Sequence, residues 1–235
     1  MAKLVQKSGY IKSGKASGYM RYIATREGVE KLAGNGAVTK GQRELIQKLL
    51  TDFPDAVELF EYEDYCKTPT LGTASAFISM ALDANFHEMD SESGYMQYIA
   101  TRPRVQKRGG HGLFSSATAV DLTSAMSELE AHEGNVWTII YSLRREDAVR
   151  LEYDNADAWR TLLMENAPTL AKSMKISLDN FHWYAAFHDE GHHPHIHMMV
   201  WSDDPKEGFL TKNGIAAMRS KLTNAIFRDE MQQIY

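Results

Sequence analysis

Phe187-His188-Asp189-Glu190-Gly191-His192-His193-Pro194-His195-Ile196-His197-Met198-Met199-Val200 holds five of the chain's nine histidines. Residues 181–189 and 195–201 read as two strands, with a loop at 190–194 between them. Strand side chains alternate between faces, so His195 and His197 share one side while Ile196 and Met198 take the other. In such a hairpin His188 falls roughly opposite His195, and directly opposed residues point to the same side of a sheet. Three imidazoles then converge. Neutral imidazoles on rigid strands suit a divalent ion and leave coordination positions open for substrate oxygens.

A histidine-rich turn can also be a plain surface loop. The third histidine at the right parity, the apolar residues on the reverse face and Pro194 in the turn favour the metal. His192 and His193 are read as loop residues. Glu190 is a candidate for orienting a ligand imidazole or taking up a proton; as an ordinary turn carboxylate it would do neither.

Upstream of the hairpin, residues 136–143 (Val-Trp-Thr-Ile-Ile-Tyr-Ser-Leu) are rich in β-branched and aromatic side chains and read as a buried strand. Residues 3–12 read as a first strand, ending at Gly14 and Gly18. Tyr19, Tyr22 and Ile23 recur at helical spacing and predict a helix to about residue 32. Thr39 with Gln42 three residues on is a capping box for a helix through Leu50, with Pro54 marking its end. Further helices are predicted at 74–85, at 121–132, at 156–165 and 169–175 on either side of Pro168, and from 213 onward. Strands and helices without a regular βαβ rhythm predict an α+β domain, a central antiparallel sheet flanked by helices.

At 235 residues and 43% hydrophobic composition the chain can bury one sizeable core. Its single cysteine, Cys66, excludes an internal disulfide and a cysteine-rich zinc site, so a metal here falls to histidine and carboxylate. No apolar run approaches the roughly 20 residues that cross a bilayer, and the N-terminus lacks a signal-like stretch, so no membrane partner and a cytoplasmic location are expected. The net charge of −5 argues against a nucleic-acid partner until it is mapped. Residues 1–31 carry seven bases against two acids, Arg21 and Arg26 among them, and Arg102, Arg104, Lys107 and Arg108 form a second basic cluster. The acids concentrate at 52–65. A surface basic where it meets DNA and acidic elsewhere fits this distribution.

One segment occurs twice. Ser17-Gly-Tyr-Met-Arg-Tyr-Ile-Ala-Thr-Arg-Glu-Gly-Val29 recurs as Ser93-Gly-Tyr-Met-Gln-Tyr-Ile-Ala-Thr-Arg-Pro-Arg-Val105, ten of thirteen positions being identical. Two copies are too few for a solenoid. Either a helix–loop element or a chemistry-bearing segment has been duplicated.

The H-x6-H-x-H pattern with Pro194 before the second histidine resembles the histidine motif of conjugative relaxases of the HUH endonuclease superfamily, and is closest to the MobP-type mobilisation proteins. "GYMRYIATREG" after the first strand resembles the relaxase segment that presents a nucleophilic tyrosine. "VWTIIYSLRRED" matches the strand before the histidine hairpin. The resemblance implies one relaxase domain over 1–235, with a helical insertion at about 33–92. It also implies a divalent ion, Mg²⁺ or Mn²⁺ with Zn²⁺ as a third candidate, on His188, His195 and His197. Tyrosine attack on single-stranded DNA at a transfer origin would give a 5′-phosphotyrosyl enzyme, with accessory DNA-processing and coupling proteins as further partners. The repeat offers Tyr22 and Tyr98 in equivalent settings. Tyr22 is preferred because it comes after the first strand, although "RPRVQKRGGHGLFS" beyond Tyr98 also resembles the family's segment downstream of its tyrosine. The alternatives are a rolling-circle replication initiator with the same chemistry, a three-histidine hydrolase with no covalent intermediate, and a DNA-binding module without catalysis.

Overall fold

The computed structural model describes residues 3–11, 35–85, 96, 99–100, 105–107, 110–117, 119–189 and 192–228. The chain divides into two compact units, one of residues 1–11 and 92–235, the other of residues 12–91.

In the first unit, β1 (Val5–Ile11), β2 (Leu113–Phe114), β3 (Val136–Ser142), β4 (Phe181–His188) and β5 (His195–Ser202) form one sheet in the order β1-β3-β5-β4-β2. Every neighbouring pair is antiparallel. The α+β class with a central antiparallel sheet is therefore observed. Alternation assigns the faces. Ile139, Tyr141, Trp183, Ala185, Phe187, Ile196, Met198 and Val200 belong to a continuous buried core. That core also takes Trp159, Leu162, Leu163 and Leu170 of α6 (Ala156–Ser173) and Met218, Leu222 and Ile226 of α7 (Lys212–Ile226). Burial of these large side chains is what fixes the register, since a one-residue slip would turn the whole apolar set to the opposite face.

Polar side chains start the helices. Asp121 accepts from the Ser124 N–H ahead of α4 (Leu122–Glu130), Asn155 from Ala158 ahead of α6, and Thr211 from Gly214 ahead of α7. Each satisfies one amide left over at a helix start. α5 (Arg145–Arg150) was not expected from the sequence, nor was the two-residue β2.

The two helices expected on either side of Pro168 are one continuous helix, α6, with the proline inside it. A mid-helix proline removes one backbone hydrogen bond and costs about 3 kcal/mol. Leu162 and Leu163 before it and Leu170 and Ala171 after it are all buried. Packing both halves into the core outweighs the local penalty.

In the second unit the described residues form α1 (Lys40–Asp52), a 3₁₀ turn (Pro54–Glu58), α2 (Phe60–Lys67) and α3 (Leu71–Asn85). The Thr39–Gln42 capping box is present, with both reciprocal bonds at 3.1 Å. Gln42 then reaches Leu71 O at 3.1 Å and Ser75 Oγ at 2.9 Å, tying α1 to α3. α3 begins three residues before the expected start at Ala74. The helix expected from Tyr19 to about residue 32 lies outside the described residues.

Candidate metal centre

β4 and β5 pair so that His188 faces His195 and Ala186 faces His197. All three histidines therefore leave the sheet on the face opposite the α6–α7 core. Their ring centroids lie 5.2 Å (His188–His195), 4.6 Å (His188–His197) and 5.0 Å (His195–His197) apart. One nitrogen from each falls within 4.8 Å of the others, and all three side chains are buried. It is the only such group of potential metal ligands among the described residues.

Backbone carbonyls orient two of the rings. His188 Nε2 lies 2.9 Å from Ile99 O, and His195 Nδ1 lies 3.0 Å from His193 O. A carbonyl only accepts, so the nitrogen facing it carries the proton. This sets the tautomer: Nδ1 of His188 and Nε2 of His195 hold the lone pair that a cation needs. Three neutral nitrogen donors at this spacing on paired strands fit a divalent ion of open coordination.

The hairpin's ends are clamped from outside. Leu143 N donates to Pro194 O at 3.2 Å and Arg145 N to His192 O at 2.9 Å, while the Arg145 guanidinium pairs with Asp189 next to His188. His192 is exposed, whereas His193 is buried. The loop reading of these two thus holds for position, and His193 supplies its carbonyl to the His195 ring.

The other edge of β4 pairs with β2 at Ala185 and Ala186 and, at His188, with the last residue of the second repeat copy. Val105 makes a bridge to His188, Gln106 N donates to Phe187 O at 2.9 Å, and Gly112 N donates to Ala100 O at 2.8 Å. Met96, Ile99 and Ala100 are fully buried. A Cβ on Gly112 would fall 2.2 Å from Val105 Cγ2 and 3.0 Å from Gln106 O, so the turn closes here only around glycine.

Further along the histidine face, Tyr184 stacks on Trp201 with centroids 5.6 Å apart and donates its hydroxyl to Glu128 at 2.9 Å. Burial first, then that carboxylate, push the Tyr184 phenol up to about 12. Such a phenol yields little phenolate near neutral pH, so Tyr184 is poorly suited to be a nucleophile. His182 also stacks on Trp201, at 5.9 Å, and its Nε2 lies 2.7 Å from Asp203 Oδ2.

Of the residues singled out in the sequence, His188, His195 and His197 are brought together. Lys107 is exposed, one residue beyond the Gln106 that pairs with β4. Tyr22, Tyr98, Glu190, Arg21, Arg26, Arg102, Arg104 and Arg108 lie outside the described residues. Sequence reading missed the Ile99 carbonyl and the Arg145–Asp189 clamp, which arise from contacts 89 and 44 residues apart along the chain. It also missed Lys7 and Ser142, two buried polar residues on the histidine face. Strand parity could have found them once the partners of β1 and β3 were known.

No curated protein and no solved structure matches the chain. The family described as MobL relaxases matches it over residues 1–235.

Proposed function

The chain belongs to the MobL relaxase family, and from that premise we propose that it nicks one DNA strand at a transfer origin by tyrosine attack, as an HUH-type enzyme. The observation that carries this reading is the convergence of His188, His195 and His197 within 4.8 Å on one sheet face. A divalent ion held there, Mg²⁺ or Mn²⁺ in the first instance, would supply Lewis acidity to a phosphate oxygen.

Of the two repeat copies, we assign the nucleophile to Tyr98. It is bonded through one peptide to Ile99, whose carbonyl lies 2.9 Å from a ring nitrogen of His188. That tie to a candidate ligand supports Tyr98 over Tyr22. The tyrosine oxygen bonds to the scissile phosphorus and the P–O3′ bond breaks. The 3′ oxygen leaves with the electron pair and takes up a proton, and Glu190 accepts the proton that the tyrosine loses. The product is a 5′-phosphotyrosyl enzyme and a free 3′-hydroxyl. Its covalent bond keeps the energy of the cleaved link, so the strand can be rejoined.

Arg21, Arg26, Arg102, Arg104, Lys107 and Arg108 are proposed contacts to the DNA backbone, where cations supply sequence-independent affinity. Residues 33–92 are proposed as a helical insertion in a single relaxase domain. Accessory DNA-processing and coupling proteins, and action in the bacterial cytoplasm, complete the proposal.

The test combines the protein, Mn²⁺ and single-stranded oligonucleotides tiled across the element that encodes it. A protein–DNA adduct that survives boiling in detergent, disappears with a chelator and is missing in His197→Ala is the expected result. Cleavage without an adduct would instead indicate metal-activated water and sink the tyrosine mechanism.

A further inference from the structure

Beside the histidines, the same sheet face carries two polar residues that the mechanism above does not use. Lys7 is opposite Ile140, which in turn is opposite His197. Ser142 stands directly between Val5 and His195. Lys7 and Ser142 are thus diagonal neighbours across β1 and β3, and both project on the histidine side. Two strand spacings, roughly 9.6 Å, separate Lys7 from His197 along the row, a gap that a four-carbon lysine stem can largely span. Ser142 and His195 sit on adjacent strands, one spacing apart.

Both residues are buried, Lys7 at 7% and Ser142 at 2% exposure. The Ser142 hydroxyl makes no hydrogen bond among the described residues. An ammonium is among the groups least often buried, and a buried hydroxyl ordinarily finds a partner. A chain that places both beside a metal-ligand cluster carries a donor set shaped for an anion. The geometry points to Lys7 and Ser142 as an oxyanion subsite flanking the histidines, which takes a phosphate of the bound DNA strand. This rests on the relaxase reading of the site. Lys7 offers charge and Ser142 a directed O–H donor to non-bridging oxygens, while the histidines remain with the cation.

The two side chains leave different signatures. A lysine on a phosphate releases a counterion, so its loss lowers the slope of log affinity against log salt by about 0.7 on single-stranded DNA. A serine donor releases none. The tightest-binding oligonucleotide of the tiled set is titrated at several salt concentrations against wild type, Lys7→Met, Lys7→Arg and Ser142→Ala, with Mn²⁺ affinity measured alongside. Lys7→Met is expected to lose about 0.7 of slope and Lys7→Arg to keep it. Ser142→Ala is expected to bind about tenfold more weakly at unchanged slope. Mn²⁺ affinity stays as in wild type throughout. An unchanged slope in Lys7→Met overturns the subsite while leaving the relaxase reading intact. Absence of DNA binding by wild type overturns both. Should Lys7→Met fail to fold, the wild-type lysine ¹⁵Nζ resonance that is missing from Lys7→Arg is followed as oligonucleotide is added. A shift supports the subsite, and an unmoved resonance contradicts it.

Discussion

His188 and His195 stand directly opposite each other across the β4–β5 hairpin, with ring centroids 5.2 Å apart. His197 completes the group because a strand returns to the same face every second residue. The site is therefore a property of register, and anything that holds the register holds the site.

Replacing His188, His195 or His197 singly with alanine removes one of three donors. Divalent-ion affinity by calorimetry should fall by more than the ~10–100-fold that loss of a ring's orienting partner costs. The exposed His192→Ala should stay within about twofold of wild type. A loss at His192→Ala as large as that at His197→Ala would mean that the loop also binds the ion and would contradict a site confined to the sheet face.

Arg145→Ala breaks the pair with Asp189, which neighbours His188. The pair is partly exposed, so the stability loss should stay below about 1 kcal/mol. Ion affinity should nevertheless drop by about tenfold, because the clamp fixes the strand end that carries a ligand. Chemical denaturation and ion titration of the same variant separate the two effects.

Ile196 sits between two of the histidines yet points into the opposite core, where it is fully buried. Ile196→Ala should cost about 2–5 kcal/mol through the lost methyl groups and the residual cavity. Below its lowered melting temperature the variant should still bind the ion. A stable variant that fails to bind would contradict the face assignment.

Much of this is legible in the residues alone. The alternation in His195-Ile196-His197-Met198 assigns both faces of β5, and the Thr39–Gln42 box marks the start of α1. What stays hidden depends on partners distant in sequence. Pro168 is a local stop signal overruled by packing on both sides of it. β2 is only two residues long, too short for a period, and α2 lies in an acidic stretch that reads as charge before it reads as helix. The Ile99 carbonyl offers no side-chain signal at all, since it is backbone meeting a ring 89 residues away.

The Tyr184 phenol, raised from 10.0 to about 12, holds its proton more tightly in the folded chain than in the unfolded one. The stability this contributes is fully present below about pH 10 and is lost as the pH rises toward 12. Wild type should therefore lose stability across that window more steeply than Tyr184→Phe. Parallel curves in alkaline denaturation would show that Glu128 and burial do not hold the proton.

The most direct test of the account is to find which tyrosine carries the DNA. After reaction with Mn²⁺ and the cleaved oligonucleotide, nuclease trimming and trypsin digestion leave Tyr22 in peptide 22–26 and Tyr98 in peptide 68–104, because Arg102 is followed by proline. Mass spectrometry should find the phosphonucleotide on peptide 68–104, lost in Tyr98→Phe and kept in Tyr22→Phe. The modification on peptide 22–26 would contradict the assignment of Tyr98, and cleaved DNA with neither peptide modified would contradict covalent catalysis itself.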